Sequence, residues 1–182
     1  ETVLAMQRTA IAMIRPGLSY RSVHLKTCEI LVERFKELGL MKGDTGEAVA
    51  AGAHALFFPH GLGHMMGLDV HDMEDLGETH VGYDDKTKRS QQFGLAYLRL
   101  AKKLEPGHVL TVEPGIYFIP ALIDDWRAKG KFVDFIDYAR VERFRDFGGV
   151  RIEDDVLVTD RGCRILGPPI PKTVADVEEA SA

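Results

Sequence analysis

Between Phe57 and Asp72 the chain reads Phe-Phe-Pro-His60-Gly-Leu-Gly-His64-Met-Met-Gly-Leu-Asp-Val-His71-Asp. Three histidines fall within twelve residues, spaced by four and then by seven. A single histidine in an apolar run reads as a satisfied core residue. Three of them, separated by glycines that let a ligand come close to the backbone, point to a chemical site. They also restrict the fold to one that gathers imidazoles and their partners in one place.

Histidine is the commonest metal ligand and an acid or base near neutral pH. Two carboxylates further along can complete a coordination shell: Glu113 in Leu110-Thr-Val-Glu-Pro-Gly115, and Glu153 in Val150-Arg-Ile-Glu-Asp-Asp155. Each lies in a β-branched run that reads as a buried strand, where an ionised carboxylate is costly unless paired or bound to metal. The alternative for each is a strand-end carboxylate facing water. Arg151 stands two residues before Glu153, so on a strand both point to one face. It can then orient that carboxylate or touch a substrate.

Composition excludes several function classes. With 182 residues, 45% hydrophobic and 28% charged, the chain can bury one sizeable core. A net charge of −5 argues against a nucleic-acid partner, which would require a basic stripe to replace phosphate counterions. Cys28 and Cys163 form no ligand motif and no disulfide framework, so a reducing, cytoplasmic setting is expected. No apolar run reaches the ~20 residues of a membrane span. The chain opens on Glu1-Thr2-Val3 in what reads as the middle of a helix, as a fragment of a longer protein would.

Apolar periodicity predicts a helix over Val3 to Ile14, ended by Arg15-Pro16-Gly17. A second helix follows, with Ser19 as N-cap and Gly39 as its stop. Residues 41 to 53 read as a connection with one short helix, and the histidine stretch as the start of a strand. An acidic loop is expected to Lys88, then a helix over Phe93 to Leu104, then the strand His108 to Glu113, with Ile116 to Ile119 extending it or forming its hairpin. Residues 120 to 147, which hold Trp126, read as a helix-containing insertion and as a solvated flap without a role in chemistry. A continuous strand over Val150 to Thr159 and a return strand over Cys163 to Leu166 close an α+β arrangement, with a frayed helix in the tail. Residues 1 to 182 form one unit in this reading, without internal repeats.

The blocks His60-Gly-Leu-Gly-His64 to His71-Asp72, Thr111-Val-Glu113-Pro-Gly115 and Val150-Arg151-Ile-Glu153-Asp-Asp155 together resemble the signature of the Xaa-Pro dipeptidases (prolidases) and proline-specific aminopeptidases. These are pita-bread (creatinase/aminopeptidase-like) metallopeptidases, and the likeness runs from about Ile14 to about Ile170. It implies a pita-bread catalytic domain lacking its N-terminal part, which cleaves the Xaa-Pro bond of dipeptides or peptide N-termini. Two divalent metals are implied, manganese first, with cobalt or zinc as alternatives. They would be held by two Asp, one His and two Glu. His64, Glu113 and Glu153 match the last three, with Glu153 bridging both ions. Glu113 also matches the proton shuttle, and His60 and His71 the two non-ligand histidines. Arg99, fourteen residues before Glu113, matches the arginine that grips a dipeptide's carboxylate; the alternative is a surface helix arginine. The insertion and Arg145-Asp-Phe-Gly-Gly favour dipeptidase over aminopeptidase. No residue here matches the two Asp ligands, so weak or no metal binding and no activity are expected of this chain alone. A homodimer is a further expectation of the resemblance. A non-catalytic pita-bread binding protein is the alternative function.

Overall fold

The computed structural model describes all residues, Glu1–Ala182. Helix α1 (Thr2–Met13) and helix α2 (Tyr20–Glu37) lie side by side. On α2 the buried residues Tyr20, Val23, His24, Thr27, Cys28, Leu31, Val32 and Phe35 advance by threes and fours, the spacing of one helical stripe. Ser19 stands at the N-cap, yet its hydroxyl donates to the Ala101 carbonyl at 2.9 Å and leaves the helix end without a side-chain cap. Helix α3 (Thr45–Ala51) is capped by Asp44, whose carboxylate accepts from the Glu47 N–H, and a 3₁₀ turn over Ala53–Leu56 follows. Helix α4 (Glu78–Gly82) is a short turn beyond the histidine stretch.

Strand β1 (Val109–Val112) and strand β2 (Gly115–Tyr117) follow one another across Pro114. Helices α5 (Pro120–Ala128) and α6 (Tyr138–Val141) precede strands β3 (Gly149–Arg151), β4 (Asp154–Val158) and β5 (Cys163–Ile165). Helix α7 (Val174–Ala180) ends the chain with a full capping box between Thr173 and Asp176. The sheets are antiparallel: β1, β4 and β5 in that order, and β2 against β3. Helices α1 and α2 are tied to this layer through Tyr20, whose hydroxyl donates to the Thr111 carbonyl at 2.7 Å. No helix is long and apolar enough to cross a membrane.

Four local expectations give way. The histidine stretch is not a regular strand; only Met65 forms a ladder contact, with Leu110. It still lines β1, because the N–H groups of Thr111 and Glu113 donate to the carbonyls of His64 and Leu62 at 3.0 and 2.8 Å. Gly63 makes this approach possible, since a Cβ there would stand 2.1 Å from the Thr111 carbonyl oxygen. The helix expected over Phe93 to Leu104 is a single 3₁₀ turn, Leu95–Tyr97. The rest of that run is drawn out straight by tertiary pairing: Tyr20 N–H to Lys102 carbonyl, and Gly17 and Leu18 to Leu104.

The strand over Val150 to Thr159 is two strands that join different sheets, with Ile152 and Glu153 at the break opposite Pro114. A proline cannot continue the ladder, so both chains change sheet together. The solvated flap is also corrected. Ile123, Trp126, Ile136 and Val141 are buried and belong to the main core, while the charged side chains of residues 120 to 147, with Val133, Phe144 and Phe147, meet water.

Candidate functional site

The loop from His60 to His71 presents three imidazoles in different settings. His64 is 5% exposed; its Nδ1 faces the Met65 carbonyl at 3.0 Å, and its backbone N–H donates to Thr111 Oγ1 at 3.0 Å. Nδ1 donates to that carbonyl, and Nε2 faces Glu113 Oε1 at 3.2 Å, a contact that is a hydrogen bond when the ring is protonated on both nitrogens. Burial is the largest single influence on the pKa of His64 and lowers it, but the hydrogen bonds to Glu113 and the Met65 carbonyl and the charges of Glu113 and Glu153 together outweigh it, and the net shift is upward. His60 directs Nδ1 at the Gly61 carbonyl, 2.7 Å away, and packs edge-on against Phe58 and Tyr117. Its Nε2 is buried without a partner. His71 stands edge-on to His64 with ring centres 4.3 Å apart, and its Nδ1 lies 2.6 Å from Glu74 Oε2.

Glu113 follows directly on β1 and is 8% exposed. The Thr111 hydroxyl donates to Oε1 at 3.1 Å, His64 reaches the same oxygen, and Arg151 pairs with Oε2 at 2.9 Å. Burial raises the pKa of Glu113, yet the His64 bond and the Arg151 charge together hold it below the ordinary value. Arg151 is aimed from the side: its Nε donates to the Tyr117 hydroxyl at 2.8 Å. Tyr117 lies flat across its sheet because Gly149 opposes it, where a Cβ would stand 2.3 Å from the ring.

Glu153 differs from its expected setting. It sits in the break between β3 and β4, so Arg151 and Glu153 do not share a strand face, and Arg151 orients Glu113 instead. The Glu153 carboxylate makes no hydrogen bond or ion pair, and burial followed by the charge of Glu113 pushes its pKa up. Arg99 lies outside any helix, on the extended run after the 3₁₀ turn. It pairs with Glu74 and, at 3.3 Å, with Glu78.

His60, His64, His71, Arg99, Glu113 and Arg151 line one open cleft of about 220 Å³. Glu153 borders instead the neighbouring apolar concavity that runs past Phe118, Phe147 and Val150. Three participants escaped the sequence reasoning. Thr111 stands two residues before Glu113, so the same-face rule applied to Arg151 points to it as well. Glu74 follows His71 by three, within reach of one turn. Tyr117 left no comparable signal, because its role depends on pairing with β3.

One imidazole and two carboxylates form a donor set for a hard or borderline divalent cation. The unpartnered, charge-stressed Glu153 beside Glu113 is what a cation would relieve, and in that sense the residues fit. Their ligand atoms do not all lie within 4.8 Å of one another, so the shell is not drawn closed.

A sequence model of metallopeptidase family M24 matches residues 1–160. The chain is 41% identical over 182 residues to the Xaa-Pro dipeptidase of Homo sapiens, covering 100% of this chain and 35% of the human protein. It is 40% identical over 157 residues to the Xaa-Pro dipeptidase of Xanthomonas axonopodis pv. citri, covering 86% of this chain and 34% of the bacterial protein. Among solved structures, aminopeptidase PepP of Pseudomonas aeruginosa superposes with a TM-score of 0.69 at 33% identity, over 98% of this chain and 32% of that one. Zn-substituted aminopeptidase P of Escherichia coli, in complex with product, gives 0.63 at 34% identity, over 90% of this chain and 29% of that one. The chain spans about a third of the length of the curated relatives it matches.

Proposed function

The chain belongs to metallopeptidase family M24, with its pita-bread α+β fold, and on that premise we propose that it carries the histidine and glutamate half of a site that hydrolyses Xaa-Pro bonds. Dipeptides are favoured over longer peptide N-termini. The observation that supports this reading most is the meeting of His60, His64, His71, Arg99, Glu113 and Arg151, drawn from four separate segments, on one cleft. The relatives named Xaa-Pro dipeptidase and aminopeptidase P point to the same substrates.

His64, Glu113 and Glu153 would hold divalent metal together with two aspartates that residues 1 to 182 do not supply. A bound pair of ions, manganese first and cobalt or zinc next, would supply Lewis-acid polarisation and a water acidified toward neutral pH. Glu113, held low in pKa by His64 and Arg151, takes a proton from the attacking water at its carboxylate and passes it to the leaving imide nitrogen. His71, when both its ring nitrogens carry protons, donates from Nε2 to the scissile carbonyl while its Nδ1–H donates to Glu74. His60 and Tyr117 wall the proline side. Arg99 exchanges one of its glutamate partners for the free carboxylate of a dipeptide, and that requirement selects two-residue substrates. Residues 1 to 182 act as one part of the catalytic domain, in a reducing compartment suited to the two free thiols. Pairing of two such chains into a homodimer belongs to the same reading.

The test is Glu113→Gln in the polypeptide that joins this chain to the two aspartates. Removing a positioned acid–base group is expected to cost on the order of 100-fold or more in turnover of Ala-Pro. Turnover near that of the unaltered enzyme would overturn the assignment.

A further inference from the structure

A second cluster of soft donors lies away from the cleft, and nothing in the proposed reaction uses it. His24 and Cys28 sit one turn apart on the buried face of α2, and His54 faces them from the 3₁₀ turn after α3. All three are fully buried. His24 Nε2 lies 3.5 Å from Cys28 Sγ, and the ligand atoms of the three residues all stand within 4.8 Å of one another. His24 Nδ1 and both ring nitrogens of His54 have no hydrogen-bond partner.

A neutral imidazole carries one donor and one acceptor, and leaving such groups buried and unpaired is destabilising. A thiol–imidazole hydrogen bond accounts for His24 and Cys28 but leaves His54 wholly unexplained. We propose that His24, Cys28 and His54 form a buried site for a zinc-class cation, separate from the cleft and independent of the reading proposed for it.

The donor chemistry selects that class. Thiolate with two imidazoles suits zinc and its neighbours, whereas manganese, magnesium and calcium prefer oxygen ligands. Bond lengths of about 2.3 Å to sulfur and 2.0–2.1 Å to nitrogen place two tetrahedral donors about 3.6 Å apart, close to the His24–Cys28 separation. Binding exchanges the thiol proton for the metal: the S–H bond breaks, a metal–sulfur bond forms, and one proton leaves for each ion bound. A divalent ion with one thiolate leaves a single net charge, a smaller burial penalty than the bare ion would carry. Metal bound at this place would pin α2 to the turn that leads into Phe57, Phe58 and the histidine loop.

Cobalt(II) discriminates this site from the cleft, because no cleft residue offers sulfur. Cobalt(II) is added to the folded chain and, in parallel, during refolding. Expected are about one equivalent of a thiolate-to-cobalt charge-transfer band in the near ultraviolet, with tetrahedral visible bands. Cys28→Ser should abolish that band while far-ultraviolet dichroism stays unchanged. Cys28→Ala is the second variant in case the serine hydroxyl is not tolerated. Cys163→Ser should keep the band, since Cys163 donates to the Ile11 carbonyl and belongs to no cluster of three or more ligating side chains. His54→Gln should weaken cobalt binding by more than about tenfold, since loss of even an outer-shell partner of a ligand costs about 10–100-fold. No such band in either preparation, or one that survives Cys28→Ser, would overturn the proposal; an ordinary buried water among neutral rings would give that result.

Discussion

Glu113 receives a hydroxyl, an imidazole and a guanidinium on its two oxygens. Contacts of this kind to an ionised group are the stronger class of hydrogen bond, and they keep the carboxylate charged in a buried place. Arg99 is less committed, because its two partners, Glu74 and Glu78, are themselves only partly buried and can exchange with an incoming carboxylate. On the reading proposed above, Arg99→Ala in a polypeptide that joins this chain to the two aspartates is therefore expected to slow Ala-Pro by about tenfold to a hundredfold, the worth of one charged hydrogen-bonded contact. A tripeptide with the same scissile bond should slow far less. Steady-state kinetics on both substrates decides it: equal slowing of the two, or of neither, would assign Arg99 a structural role. Arg99 was legible as a candidate from its spacing to Glu113, but its glutamate partners were not, because they come from the loop at Glu74 and the start of α4 at Glu78, 25 and 21 residues before it in the chain.

At the scale of elements, the junction where β1 passes into β2 and β3 into β4 sets Glu113 and Glu153 at matching breaks, with Pro114 between the sheets. The period-two pattern from Val150 to Thr159 is real, yet a continuous strand does not follow from it, since periodicity carries no information about which sheet each half joins. Residues 120 to 147 show the same limit: their mixed charged and aromatic composition reads as solvated, while Trp126 is 2% exposed. Their outer face is clasped by Arg145, whose guanidinium meets both oxygens of Asp124 at 2.8 and 2.7 Å. The Arg145 bond holds the pKa of Asp124 below its ordinary 3.8. A carboxylate depressed on folding contributes stability above its unfolded value and loses it as pH falls through the folded one. Emission of the single tryptophan should therefore become more open to a neutral quencher as pH drops below 3.8. Asp124→Asn should show the same loosening at neutral pH. Quenching that is identical across both changes would mean that burial of Ile123 and Trp126 alone holds α5.

For the molecule as a whole, the metal site proposed above makes ligand number the limit on what the chain can do unaided. His64, Glu113 and Glu153 offer one nitrogen and two carboxylates, too few to close two shells or to neutralise two adjacent dications. Loaded with manganese and dialysed, the chain is expected to retain none in stoichiometric amount and to show no turnover of Xaa-Pro substrates. Manganese is the appropriate probe because a thiolate–imidazole site disfavours it. Elemental analysis with an activity assay on the same sample is the check. Two retained ions per chain, or turnover, would show that residues within 1 to 182 complete the shell.

The sequence alone determined the helix pair, the chemical character of the histidine loop and most of the cleft residues. Helical stripes and clustered imidazoles are local patterns, written at spacings of three, four and seven residues. Tertiary structure alone decided that the histidine loop lies along β1 without becoming a strand, and that Arg151 serves Glu113 while Glu153 turns toward the apolar concavity. It also decided that His24, Cys28 and His54 meet in the core. The reason is the same in each case: the segments that meet lie 26 (Cys28 to His54) to 47 (His64 to Thr111) residues apart or belong to different sheets, and only chain packing brings such groups within hydrogen-bonding or ligating distance.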